Sequence, residues 1–475
     1  MSNSIFSTIL KRATYASTGE LIARISAAIA GIIIARAVGP APFGVYAVVW
    51  VLIMLSVAFT RVGVTMGLKR DGARIPRLLP SLLGNSIIVK AIIGLCALSV
   101  AYFSLSAVTR SEKAPVLFLP LALAGFSTLC VEPLFAALYV KGRQKLVSFL
   151  MMGRGFLFLT GVGILFYFKF DIIVFAWYQG ILYFVALIIV CFTVISIISI
   201  SVNFSKILSQ VKGSFVFGIS GILYSIYTQL PILLLSHFRT EEEVGFFAVA
   251  FRFVELSLLF GVAASNNTFI PSLFGFYKTN RDKFRHICES MQKLFVPVGI
   301  FIASALYVCA DTIIIILQGE EYRQAIGILR ILCWIVAIHY AVLAAGASLT
   351  AADRMWIKVF FQVCTTLTTL LVGVVFIKHY GATGASYAMI ILQLVLIFLY
   401  VPYAYRKKLI GFSGLAKISL PAVLMVLLAL IIVQLIPDYN LLTPAIFFIG
   451  TLFIWLPVAM EILKHSIFKP YAKEL

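Results

Sequence analysis

Apolar stretches of about 20 residues, the length that crosses a bilayer as a helix, follow one another along the chain, and the links between them alternate between rich and poor in lysine and arginine. That alternation leaves few folds open. With 62% hydrophobic residues, 12% charged residues and a mean hydropathy of +1.07, 475 residues cannot pack as a water-soluble globule. The expected fold class is an all-α polytopic membrane protein of about fourteen spans, at 17–38, 44–67, 81–106, 116–140, 146–168, 172–200, 214–238, 244–272, 294–317, 325–350, 359–377, 384–404, 418–436 and 444–463.

Basic residues in the links set the orientation. With a cytoplasmic N-terminus, 25 of the 38 lysines and arginines fall in inside segments, seven fall outside and six lie within spans, which places both termini in the cytoplasm. The net charge of +20 therefore belongs to inside loops and their attraction to anionic membrane lipid, and nucleic acid is not an expected partner. The longest link, 273–293, carries Phe276, Phe284, Ile287 and Met291 among its charges and reads as a helix on the inner membrane surface. Residues 1–13 read the same way, and they lack the pattern of a secretory signal.

Covalent chemistry finds no support. The seven cysteines are scattered without a CxxC pair, so neither a disulfide framework nor a metal site is expected. The five histidines show no ligand spacing, and GxxxxGK[ST] has no match, so no cofactor and no enzymatic activity are expected. Transport would draw on a proton or sodium gradient or on the cargo gradient.

The chain also repeats. GVYAVVW from Gly44 to Trp50 opens the second span and GFFAVAF from Gly245 to Phe251 opens the eighth, each after an outside turn. Repeats in the same orientation imply two six-helix lobes around a central cavity. The expected organisation is an N-terminal lobe at 1–200, a linker at 201–213, a C-terminal lobe at 214–405, and two further spans with a cytoplasmic tail at 406–475. Ala23, Ala27, Gly31, Ala35 and Gly39 give the first span one narrow face, suited to close helix packing.

Charges inside the membrane carry the functional reading, because each costs at least about 2.5–3.5 kcal/mol at the bilayer centre. Arg24, Arg61, Lys90 and Arg154 lie in the inner half of the first lobe with a single carboxylate, Glu132. Such an electropositive inner half suits a phosphate or pyrophosphate arriving from the cytoplasm. In the second lobe Arg252 and Glu255 share one helical face, and Asp311 and Arg330 lie toward outer ends. The candidate substrate-binding residues are thus Arg24, Arg61, Lys90, Arg154 and Arg252, and the candidate ion-coupling residues are Glu132 and Glu255.

The order of several short motifs resembles that of Wzx-type O-antigen and polysaccharide flippases. They are ARAVGPAPFGVYAVVW from Ala35, EEEVGFFAVAFR from Glu241, FIP at Phe269–Pro271, QGEEYRQA from Gln318, the turn at Ala352–Arg354 and YGATGAS from Tyr380. The resemblance spans about residues 10–405 and extends to the superfamily that includes the MATE exporters and the MurJ-type lipid II flippases. It implies an inner-membrane protein that moves an undecaprenyl-pyrophosphate-linked oligosaccharide between leaflets by alternating access, with a polysaccharide polymerase complex as a further partner. The lipid II flippases use arginines on spans 1, 2 and 8, the spans to which Arg24, Arg61 and Arg252 are assigned.

Two other readings stay open. A MATE-like cation-coupled exporter needs an acidic cavity, and the first span offers only Glu20, near its end. A membrane glycosyltransferase or polymerase of the same pathway needs a substantial outside loop or catalytic acids, and the outside links are short.

Overall fold

The computed structural model describes residues 2–61, 63–203, 215–265, 269–411 and 424–433, with scattered positions from 444 to 451. All described regular structure is helical. The helices are α1 (Ser2–Val38), α2 (Pro40–Phe59), α3 (Val64–Arg74), α4 (Leu79–Val108), α5 (Ala114–Val140), α6 (Gln144–Tyr167), α7 (Ile172–Ile195), α8 (Phe215–Phe238) and α9 (Glu241–Ala264). They continue as α10 (Ile270–Thr279), α11 (Arg281–Val308), α12 (Ala310–Gln318), α13 (Ala325–Leu332), α14 (Trp334–Ala351) and α15 (Met355–Arg406). Eleven stretches among the described residues are long and apolar enough to cross a membrane, and the 52-residue α15 holds two of the predicted spans. A shorter apolar helix, Leu424–Val433, falls within the predicted thirteenth span. The predicted linker from residue 204 on and most of the fourteenth span lie outside the described residues.

Local chemistry explains where the elements break. Gly39 takes a φ of 80°, which ends α1, and Pro40 at the first position of α2 needs no N–H partner, so the VGPAPFG motif is a tight helix-to-helix turn. The predicted second span, 44–67, stops early at Phe59. Gly63 at φ 84° opens the separate short helix α3, and Arg61 therefore sits on non-helical backbone rather than in a span. The predicted span 244–272 likewise ends at Ala264.

The predicted surface helix at 273–293 is also corrected. Asn280 caps a new helix by accepting the Lys283 N–H at 2.9 Å, so residues 281–293 are the start of α11, which runs on to Val308. Only α10 remains a separate short helix. A break at Cys309 then divides the predicted span 294–317 between α11 and α12.

The helices group into two compact units, Ser7–Ala248 with Gln362–Gly381 and, separately, Met1–Phe6, Val249–Phe361 and Ala382–Leu475. In the first unit α5 is the central element. It packs against α2, α3, α4 and α7 around Leu68, Leu79, Leu83, Leu129, Leu134 and Val194. Burial there is close packing rather than escape from water, since lipid is as apolar as leucine. The narrow face of α1 meets α6, where a Cβ on Gly155 would touch the Ala23 backbone. Pairing of α11 with α14 dominates the second unit, and Met425, Ala429 and Ile432 cover the end of α11 at Val308.

Candidate functional site

Lys90 is the most constrained charge in the first unit. It lies on α4 with a fully buried side chain, and its ammonium donates to Glu132 Oε2 from α5. The other oxygen of Glu132 accepts Nε and Nη2 of Arg61, at 3.2 and 2.9 Å. One carboxylate of α5 thus bridges two cations, one carried by α4 and one by the break after α2. A buried charge must be paired and hydrogen-bonded to be tolerated, and this arrangement meets that requirement for Lys90. Arg61 is different, because half of its side-chain surface remains exposed.

A further cation of this unit lies on α3. The Lys69 ammonium sits 5.4 Å from the centroid of the Tyr139 ring, and burial pushes its pKa down against the opposing pull of Glu132 and Glu20. Sequence reasoning placed Lys69 among orientation-setting loop charges. The available signal was Gly63, which turns the chain so that α3 folds back onto α5.

The remaining first-unit candidates stand apart from this bridge. Arg24 is exposed on α1 and pairs with Glu20 one turn earlier. Arg154 on α6 holds its guanidinium 4.6 Å from the centroid of the Tyr183 ring. The four predicted cations therefore form one bridged pair and two separately partnered side chains. Adding Lys69 and Glu20 to the count leaves positive charge in excess over the two carboxylates.

In the second unit Arg252 Nη1 lies 3.7 Å from Glu255 Oε2 on the same face of α9. Arg330 at the end of α13 donates to Asp311 of α12, which makes that pair a tie between two short helices.

The EEEVG and YGATGAS motifs gain a physical meaning. Arg239 donates to the carbonyls of Ile377 and Lys378 at 3.2 and 3.0 Å, the groups that a continuous helix would engage with the N–H groups of Gly381 and Ala382. Gly381 breaks α15 with φ 56° and ψ −134°, and a Cβ there would collide with the carboxylate of Glu243. Glu243 of EEEVG and Gly381 of YGATGAS thereby meet at one joint within the first unit.

A sequence profile described as polysaccharide biosynthesis protein matches residues 9–276. A probable low-salt glycan biosynthesis flippase, Agl15 of Haloferax volcanii, is 24% identical over 189 residues, which span 39% of each chain. The structure of the lipid II flippase MurJ in an inward closed conformation superposes with a TM-score of 0.76 at 14% identity, covering 95% of this chain and 99% of that one. An inward-facing multidrug resistance MATE family transporter of the MOP superfamily gives a TM-score of 0.71 at 16% identity, over 81% of this chain and 94% of that one. These likenesses establish the fold of that superfamily.

Proposed function

The chain belongs to the polysaccharide biosynthesis protein family, and from that premise we propose that it is a flippase for a lipid-linked glycan, with an undecaprenyl-pyrophosphate-linked oligosaccharide of the O-antigen type as cargo. The observation that carries the reading is the bridge from Lys90 through Glu132 to Arg61, which fixes one edge of a guanidinium while half of its side chain stays open. A planar guanidinium held in this way is preorganised to receive a phosphate oxygen. Lys69 adds a second ammonium on which the same carboxylate exerts an electrostatic pull.

The polyprenyl tail would stay among lipid acyl chains while phosphate and sugars cross between lobes 1–200 and 214–405 by alternating access. Arg24 and Arg154 would meet the headgroup on its approach, and Arg252 would receive it toward the far leaflet. Both oxygens of Glu132 are already engaged, so Glu255 is the better candidate for coupling to a proton or sodium gradient. On this reading both termini are cytoplasmic, in keeping with the basic links, and the protein works in the inner membrane, where a polysaccharide polymerase would act on the product.

The fold is shared with drug exporters, but an organic cation would be repelled by Arg61 and Lys69. The test is reconstitution of the full chain into vesicles with a lipid-linked oligosaccharide, followed by a leaflet-accessibility assay with and without an ion gradient. Translocation that is lost in Arg61→Ala supports the proposal. Export of an organic cation with no movement of the glycolipid rejects it.

A further inference from the structure

Three helices of the second unit meet at one phenol. Tyr340 of α14 is fully buried. Its ring lies between Gly261 of α9 and Gly299 of α11, where a Cβ on either glycine would press into the tyrosine side chain. Phe295 of α11 meets the ring edge-on, with centroids 5.8 Å apart. Seated there, the hydroxyl accepts the Gly261 N–H at 3.0 Å and donates to the Ser257 carbonyl at 2.8 Å.

Those two backbone groups are four residues apart, so they are the groups that pair with each other in an unbroken α-helix. The phenol of one helix thus stands in the hydrogen-bond ladder of another. A side chain inserted in this way is among the few causes of a helix bend. The loosening continues beyond it, with π-type backbone at Ser265, directly after the end of α9, and at Phe269, directly before α10. Arg252 and Glu255 lie just before the inserted hydroxyl on the same helix.

We propose that Tyr340 is a positioning residue for the Arg252–Glu255 face of α9. A buried phenol deprived of these two partners would lose its hydrogen bonds without gaining water, so the insertion is held in place. The direction of α9 beyond Ser257 is then set from α14, and with it the placement of the Arg252–Glu255 segment against the α11–α14 core. This helix geometry stands whatever the cargo, while its consequence for transport rests on the flippase reading.

The test uses the full chain in lipid nanodiscs and vesicles, as wild type, Tyr340→Phe and Gly261→Ala. Tyr340→Phe keeps the ring and removes only the hydroxyl. Its structure by electron cryo-microscopy should show the Gly261 N–H back on the Ser257 carbonyl and a changed α9 axis beyond that point. Glycolipid turnover should fall about five-fold or more with little change in the half-saturating cargo concentration, the split expected for lost orientation rather than a lost cargo contact. Gly261→Ala, which pushes the ring away, should reproduce both effects.

An unchanged α9 axis in both variants overturns the proposal. A changed axis with wild-type turnover overturns the positioning role and leaves the flippase reading intact. A wild type that moves no glycolipid rejects the flippase reading instead, and the comparison of helix axes still decides the role of the phenol.

Discussion

Gly44 and Gly245 each press against the start of the other's helix: a Cβ on Gly44 would collide with the carbonyl of Glu241, and one on Gly245 with the carbonyl of Pro40. Pro40 and Glu241 stand at the same place in the two GxxAVxx repeats, four residues before each glycine, so the contact is reciprocal. The sequence repeat is thus also a packing symmetry, with two equivalent helix starts crossing where neither can carry a side chain.

Gly44→Ala and Gly245→Ala should each lower the thermal unfolding temperature of the purified protein, in line with overpacking costs of about 1–3 kcal/mol. Ala47→Gly, one turn from the crossing, supplies a control for altered helix propensity alone. Unchanged unfolding in both alanine variants would show that the two starts can separate freely.

Removing Glu132 strands a fully buried ammonium on Lys90. Glu132→Ala should therefore destabilise the protein by about 3–5 kcal/mol, whereas the double change Lys90→Met with Glu132→Leu, which removes the buried charge and its partner together, should cost much less. Calibrated thermal shift in detergent compares the two. Equal losses would mean that the bridge is not held as a unit.

Arg61→Ala should reduce glycolipid translocation about ten-fold or more with unfolding close to wild type, since the side chain is half exposed and sits on non-helical backbone. Arg61→Lys should recover little, because an ammonium cannot offer the guanidinium's fixed fork to Glu132 and to a phosphate at once. Full rescue by lysine would point to charge alone.

At the joint between Glu243 and Gly381, Gly381→Ala should cost more than about 1 kcal/mol, since alanine is strained at φ 56° and its Cβ meets Glu243. Arg239→Ala should weaken the same joint by freeing the Ile377 and Lys378 carbonyls. Limited proteolysis near residue 381 is the readout. Unchanged cleavage in both variants would dismiss the joint as a point of stability.

Much of this was legible before any coordinates, for reasons specific to membranes. Helices are obligatory in lipid, so runs such as 116–140 and 172–200 located α5 and α7 to within a few residues at most ends. The break at Gly63 escaped because Val62, Val64 and Met66 continue the apolar run, and hydropathy averages over the one residue that turns the chain. Asn280 escaped for the opposite reason: a helix cap among charges reads as loop. Within the site, residue types pointed to Lys90, Arg61 and Glu132 as charges that need partners. Their shared bridge was invisible, because it joins positions 42 and 71 residues apart that only helix packing brings together. Lys69 reads as a mark of the side of the membrane, and nothing in a single sequence separates that role from a seat over the Tyr139 ring.

Because Arg61 hangs from a turn, with no helical ladder beneath it, its resting place is dictated from the neighbouring helix by one acidic side chain on α5. On the flippase reading, a charge anchored like that would act as a buoy on a short mooring, able to follow a departing anion without dragging a rigid rod behind it and to swing back once the anion is gone.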